Sequence, residues 1–305
     1  ISADGKGIVM HPNSLREATR RAMEREAHKQ HTRLSPGEKK NRKRMATVAS
    51  VYEVDPYPRT AEQILDPDQQ PGGKRPRAEN KRTWARVEAD QGTVIEQAFA
   101  EAVRRDPDQK LHWVVLTDGN EDLLRQVAAA AKRYKVEIVL VQDFIHVLEY
   151  LWKAAYALHP DAAEARERWV MDRATAVLEG RAQDVAVGLR RAATRKQLSQ
   201  NARKPLDKAA DYIDNNQQRL QYNRALRHGL PIATGVIEGA CRHLVKDRMD
   251  ITGARWGLAR AEAILKLRSL KISGDLTAYL AFHFEQERKR NYPGPPIPLA
   301  VRRAA

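Results

Sequence analysis

The sequence predicts an α/β fold interrupted by a long all-helical stretch, and three observations predict it. Short β-branched or apolar runs at 45–54, 111–117 and 136–142 alternate with segments of helical spacing, and the last two runs stop at an acid, Asp118 and Asp143. Beyond Asp143 the strand pattern ends, and residues 144–227 are rich in Ala, Leu, Arg and Gln with few breakers. Gly229-Leu230-Pro231 then breaks the helical run before a further helix begins near Thr234.

In chain order, residues 2–10 (SADGKGIVM) read as a short strand whose first half carries a polar Asp-Gly-Lys. Residues 14–44 are dense in Arg, Lys and Glu and predict a basic, solvated helical segment. Residues 45–54 (MATVASVYEV) predict a second strand, and the Pro/Gly-rich, charged stretch 66–82 a mobile loop. Over 93–105, Val94, Ile95, Ala98, Phe99, Ala102 and Val103 follow helical spacing. The run 111–117 (LHWVVLT) stops at Asp118-Gly119-Asn120, helix 121–134 follows, and strand 136–142 (VEIVLVQ) stops at Asp143. Helical pattern returns at 255–270, and the Pro-rich tail 291–305 is not expected to pack. The expected organisation is a core in two parts, 1–143 and 231–290, split by a helical insertion at 144–230.

The chain has 305 residues, 54 Lys plus Arg against 39 Asp plus Glu, and a net charge of +15. A hydrophobic fraction of 42% supports a buried core, so this charge sits on a folded protein. Its field attracts polyanions, of which nucleic acid is the usual one. The single cysteine, Cys241, rules out an internal disulfide framework and a Cys-based zinc ribbon, and fits a reducing compartment. No apolar run approaches the roughly 18 residues of a membrane span and no signal peptide opens the chain, so the expected location is cytoplasmic, at the nucleoid, without membrane contact. The chain opens at Ile1 within strand pattern, and an upstream segment is expected to be missing.

Phosphoryl transfer on DNA through two metal ions needs hard oxygen ligands that converge from different elements. Asp4 in the first strand, Asp118 at the end of another, and Glu238 in the first turn of a late helix are such a set, with Gly5, Gly119 and Gly239 beside them leaving room for a DNA backbone. Each has an ordinary alternative: Asp118-Gly119 is also a turn signal, and a Glu in a first helical turn also complements the helix dipole. A charged residue inside a strand, as at Asp4, costs stability unless a partner or a metal meets it.

SADGKG, VVLTDGN, DFIHVLEYLW and above all GLPIATGVIEGACRHLVKDRMDITGARW resemble the transposases of bacterial insertion sequences of the Kra group, over about residues 1–270. These are DDE-type enzymes with an RNase H-like core. The resemblance implies that Asp4, Asp118 and Glu238 are the catalytic acids holding two Mg²⁺ ions, for which Mn²⁺ substitutes. It also implies a mixed sheet flanked by helices, with an all-helical insertion before the catalytic helix; the 120 positions between Asp118 and Glu238 suit this. Partners would be transposon ends and target DNA, bound by a homo-oligomer. The chain departs from full-length members in showing no N-terminal DNA-recognition domain. Asp143-x-x-His146 resembles the acid-x-x-His signature of the related Mutator-like transposases, which makes Asp143 the rival ligand and His146 its helical neighbour; Glu262, one helix later, is a second rival. The plain reading of the pair is a helix start and a packed His.

Arg242 and Lys246 follow Glu238 at i+4 and i+8, and with Arg248 would offer one helical face to phosphates or, equally, to solvent. Trp256 would stack on an extruded base or sit in the core. Cys241 reads as a small buried apolar residue. Lys39, Lys40, Arg42, Lys43 and Arg44 form one basic run, and Arg190, Arg191, Arg195, Lys196, Arg203 and Lys204 another; both would bind phosphates without reading sequence. The expected activity is metal-dependent cleavage at transposon ends followed by strand transfer. The alternatives are a structure-selective nuclease or resolvase of the same fold, and a non-catalytic DNA-binding relic.

Overall fold

The computed structural model describes residues 1–25, 40–69, 75–251 and 253–292. Strands β1 (Ser2–Val9), β2 (Lys43–Glu53) and β3 (Glu79–Arg86) form an antiparallel meander. Strands β4 (Trp113–Thr117) and β5 (Ile138–Gln142) add to the other edge of β1 in parallel, giving one mixed sheet ordered β3-β2-β1-β4-β5. The chain is thus α/β, as expected. Among the described residues no helix is long and apolar enough to cross a membrane.

Side chains alternate across a strand, so the sheet separates its neighbours by face. On one face Ala3, Ala49, Val51 and Val115 pack under α3 (Gln91–Arg105) and α4 (Glu121–Tyr134), whose Ile95, Phe99 and Val127 are fully or almost fully buried. Side chains cap both helices: Asp90 accepts from the Thr93 amide and Asn120 from that of Leu123. The opposite face carries two separate cores. Over β1–β3, Ile8, Val48 and Ala85 meet Ile237, Leu244 and Leu265 from the C-terminal helices. Over β4 and β5, Leu116 and Val141 meet the helical stretch α5 (Phe144–Leu158), α6 (Ala163–Leu178), α7 (Ala182–Arg195), α8 (Gln200–Asn216) and α9 (Tyr222–Arg227). The chain then returns through α10 (Gly235–Ala240), a π-helical turn (Cys241–Lys246), α11 (Asp247–Met249), α12 (Leu258–Ile272) and α13 (Leu276–Asn291).

Two local expectations differ from the structure. The helix expected over 14–44 covers Glu17–Glu24, residues 26–39 lie outside the described residues, and β2 already begins at Lys43, ahead of the β-branched run. The loop expected over 66–82 gives way to β3 from Glu79. Its charged sequence, ENKRTWAR, is that of an edge strand, where polar side chains discourage pairing with other chains. The open edge is covered by α12: Ser273 Oγ accepts from the Thr83 amide (3.0 Å), Ser269 Oγ from that of Ala85 (3.3 Å), and Glu262 from that of Val87 (2.9 Å).

Candidate active site

The register places the acids. Ser2 pairs with Leu116 across β1 and β4; counting two residues along each parallel strand brings Asp4 level with Asp118. Thr117 pairs with Gln142, and the amide of Asp143 donates to the Thr117 carbonyl (2.8 Å), which sets Asp143 beside Asp118 in turn. Adjacent strands lie about 4.8 Å apart, so three carboxylate-bearing residues stand in a row across the sheet. Period-two alternation puts all three on the face of Ile8, Leu116 and Val141, at the seam between its two cores.

Glu238 approaches from above. Ile237, Ala240, Cys241 and Leu244 are buried, at the spacing of a helix face docked on the core, and α10 packs against β1 and β2. Glu238 itself lies on the exposed side of that helix. Cys241 ties helix to strand: its thiol donates to Asp4 Oδ2 (3.3 Å), while the Gly5 amide donates to Asp4 Oδ1 (2.6 Å). Burial, then the charges of Asp4 and Glu238, push the Cys241 thiol far up, so it stays protonated as a donor. Lys6 faces the same side as Asp4 and adds the one positive contribution at Cys241. Sequence reading passed over Lys6, although its i+2 spacing from Asp4 within the strand carries the signal.

Asp118 is half-buried, and its Oδ1 accepts from the Asn120 amide (2.9 Å). The helical stretch reaches it through Tyr212 of α8, whose hydroxyl donates to the Asp118 carbonyl (3.2 Å) and accepts from Gln142 Nε2 (2.5 Å). Gly119 has φ +91°, and an added Cβ would lie 2.8 Å from Gln142 Nε2, so the turn after Asp118 needs glycine on both counts. Tyr212 and Gln142 also escaped sequence reading, because only the packing of α8 on β5 brings them here.

The fourth acid is differently employed. Asp143 is fully buried and caps α5: it accepts from the Ile145 amide (3.0 Å), the Thr234 amide (3.3 Å) and the Thr234 hydroxyl, with His146 Nδ1 2.9 Å away. Burial pushes its carboxyl up, but these hydrogen bonds outweigh it and hold the pKa below the usual carboxylate range. The same contact raises His146 above the ordinary histidine value despite partial burial. Asp143 therefore fastens α5 to the segment entering α10, both its oxygens engaged. Glu262 is likewise occupied by Arg86 and the amides of Val87 and Glu88.

Asp4, Asp118 and Glu238 are in no ion pair among the described residues, and the Glu238 carboxylate accepts no hydrogen bond there. Hard carboxylate oxygens without cationic partners are the donor set that a magnesium-like ion takes. Among the described residues no three His, Cys, Asp or Glu side chains stand close enough to hold an ion.

The basic groups divide. Arg242, Lys246 and Arg248 are exposed. The face drawn through Glu238, Arg242 and Lys246 assumed an unbroken α-helix, but the π-helical turn from Cys241 changes the angular step, so the i+4 and i+8 relation does not hold. Trp256 is bound into the fold: its Nε1 donates to the Met249 carbonyl (3.1 Å), its backbone bridges to Met10, and the Arg248 guanidinium covers its ring at 5.3 Å. Arg44 holds the carbonyls of Val87 and Ser14, and Lys43 lies in β2 beside Gly7. Arg42 precedes β2 with partners of its own, and Lys39 and the Lys40 side chain lie outside the described residues. In the second run Arg190 pairs with Asp211 and Asp214, and Arg203 with Asp207; Arg191, Arg195, Lys196 and Lys204 remain exposed. Compared with protein-family models, curated proteins and solved structures, the chain matches none.

Proposed function

We propose that this chain is a DDE-type DNA transposase of the RNase H-like superfamily, similar to those of the Kra group of insertion sequences. The observation that supports this reading most is the level alignment of Asp4 and Asp118 on adjacent strands, with Glu238 on a helix packed over β1 and none of the three in an ion pair among the described residues. The mixed sheet ordered β3-β2-β1-β4-β5, with three antiparallel and two parallel members, supports an RNase H-like reading, as do helices α5–α9 between β5 and the helix carrying Glu238.

On this reading Asp4, Asp118 and Glu238 are the residues that would hold two Mg²⁺ ions, and these would supply activation of the attacking oxygen and stabilisation of the leaving one. Arg242, Lys246 and Arg248 grip backbone phosphates beside the acids, with Lys6 close to Asp4. Tyr212, itself held by Gln142, fixes the backbone of Asp118, so its carboxylate would take up a cation without reorganising. The Asp143–Thr234 contact keeps the approach to α10 in register with β5.

The deciding experiment incubates supercoiled plasmid and a paired-end DNA substrate with protein and Mg²⁺. Cleavage followed by joining of the freed 3′ ends is expected; cutting of branched DNA without joining would mark a nuclease or resolvase, and binding alone a relic. Non-specific duplex binding is expected to weaken with salt at a log–log slope of about −3 or steeper, since several phosphates are neutralised at once. A shallower slope would show that the exposed cations do not track the DNA backbone.

A further inference from the structure

A lysine stands on the same face of the sheet as the acids. Asp4, Lys6 and Ile8 alternate with Gly5 and Gly7 along β1, so the three share a face, and Ile8 is buried in the core under the C-terminal helices. Along the strand Asp4 and Lys6 are roughly 7 Å apart. β4 is level with β1 at Ser2 and Leu116 and ends at Thr117, whereas β1 runs on to Val9. Lys6 therefore lies just past the row of Asp4, Asp118 and Asp143, on the shoulder where the sheet continues as β1 and β2. Arg44 is the other base that β1 and β2 place on this face, opposite Ile8, and the carbonyls of Val87 (3.0 Å) and Ser14 (3.4 Å) hold it.

Lys6 is not the counter-ion of Asp4. The Asp4 oxygens accept from the Gly5 amide (2.6 Å) and the Cys241 thiol (3.3 Å). Cys241 lies among the charges of Asp4, Glu238 and Lys6, of which Lys6 alone is positive. The lysine is half-buried, so its ammonium gives up part of its hydration. An apolar side chain between Asp4 and Ile8 would cost the fold less, and a residue that breaks such a local rule points to a ligand.

The charge of the reacting group identifies that ligand. A phosphodiester carries one negative charge, and the oxygen that attacks it brings a second on to the phosphoryl oxygens. A group that counters this charge works best when it is already in place. Lys6 is in place: Gly5, Lys6 and Gly7 pair with Thr47, Ala46 and Met45 of β2, so its backbone is fixed in the middle of the sheet. We propose that Lys6 is a catalytic residue of the reaction proposed above, its ammonium donating to a non-bridging oxygen of the phosphodiester under attack. The bond that forms joins the attacking oxygen to phosphorus, the bond that breaks releases the leaving oxygen, and Lys6 keeps its proton throughout. This rests on the reading of Asp4, Asp118 and Glu238 as the catalytic acids, and the test separates the two.

Lys6→Met and Lys6→Arg are compared with wild type in cleavage of supercoiled plasmid with Mg²⁺, and in duplex binding with Ca²⁺ in its place. Lys6→Met is expected to lower kcat at least about thirtyfold with KM within about threefold, because the contact strengthens as charge develops. Its log–log salt slope for binding should become shallower by about one, the share of a single phosphate. The Mg²⁺ concentration for half-maximal cleavage should stay within about twofold, which sets Lys6 apart from a ligand acid. Lys6→Arg keeps the charge and should cleave within about tenfold of wild type. Melting of Lys6→Met should match or exceed wild type, since a half-buried charge is removed. A variant melting well below wild type would make Lys6 a structural residue and overturn the proposal. So would Lys6→Met with unchanged kcat and slope beside an active wild type, which would leave the acids untouched. A wild type that cuts no DNA would sink the reading of the acids, and with it the catalytic role of Lys6, whatever the slope.

Discussion

Asp118→Asn is expected to lower Mg²⁺-dependent DNA cleavage at least about a hundredfold while leaving duplex affinity within about twofold of wild type. The substitution removes a ligand charge and keeps the shape: the Asn side-chain oxygen can still accept from the Asn120 amide, and the Tyr212 hydroxyl still finds the backbone carbonyl. The exposed cations proposed to bind phosphates lie on other elements than Asp118, so binding should survive. Glu238→Gln should behave alike, with even less structural cost, because that side chain is exposed and has no hydrogen-bond partner among the described residues. Cleavage by either variant at more than about a hundredth of wild type would remove that residue from the metal-binding set. Parallel loss of cleavage and duplex binding would point instead to damaged folding.

Asp143→Ala should be the most destabilising single change at the site, by at least about 3 kcal/mol in denaturant unfolding near pH 5.5. It strands the buried amide and hydroxyl of Thr234, leaves the Ile145 amide without its acceptor, and removes the cap of α5. Linkage gives the pH window. The lowered pKa of Asp143 contributes stability that is present above the ordinary carboxylate pKa and lost as pH falls through the depressed one. The raised pKa of His146 contributes stability that is complete below about 6.5 and lost as pH rises through its elevated folded value. The gap between wild type and variant should therefore be widest between about pH 4 and 6.5 and narrow on either side. A gap independent of pH would mean that the pair is not ionised as the hydrogen bonds imply.

How much of this was legible beforehand differs by element. Helix 121–134 and the strands ending at Asp118 and Asp143 follow from local pattern, since an apolar run, an acid and a helical repeat are adjacent in sequence. The strand β3 was not legible: Glu79, Asn80, Lys81 and Arg82 are exposed at the sheet edge and polar like a loop, and a single sequence does not say which edge a helix will cover. The π-helical turn after Ala240 was equally invisible, and with it the true disposition of Arg242 and Lys246. Trp256 and Arg44 look like ligand-facing residues by type, yet hydrogen bonds hold Trp256 to Met249 and to Val9 at the end of β1, and Arg44 to Val87 and Ser14.

The sequence by itself determined the alternation of strands and helices, the basic charge, and the acids at strand ends, because all of these are properties of short segments. Only the tertiary structure decided where those acids stand relative to one another. Register brings Asp4, Asp118 and Asp143 into one row. The return of the chain after α9 lays Glu238 above the first of them and gives Asp143 to Thr234. That choice depends on pairing across more than a hundred residues, which is set by the burial of two cores on one sheet face and by hydrogen bonds between distant segments, neither of which any local window contains.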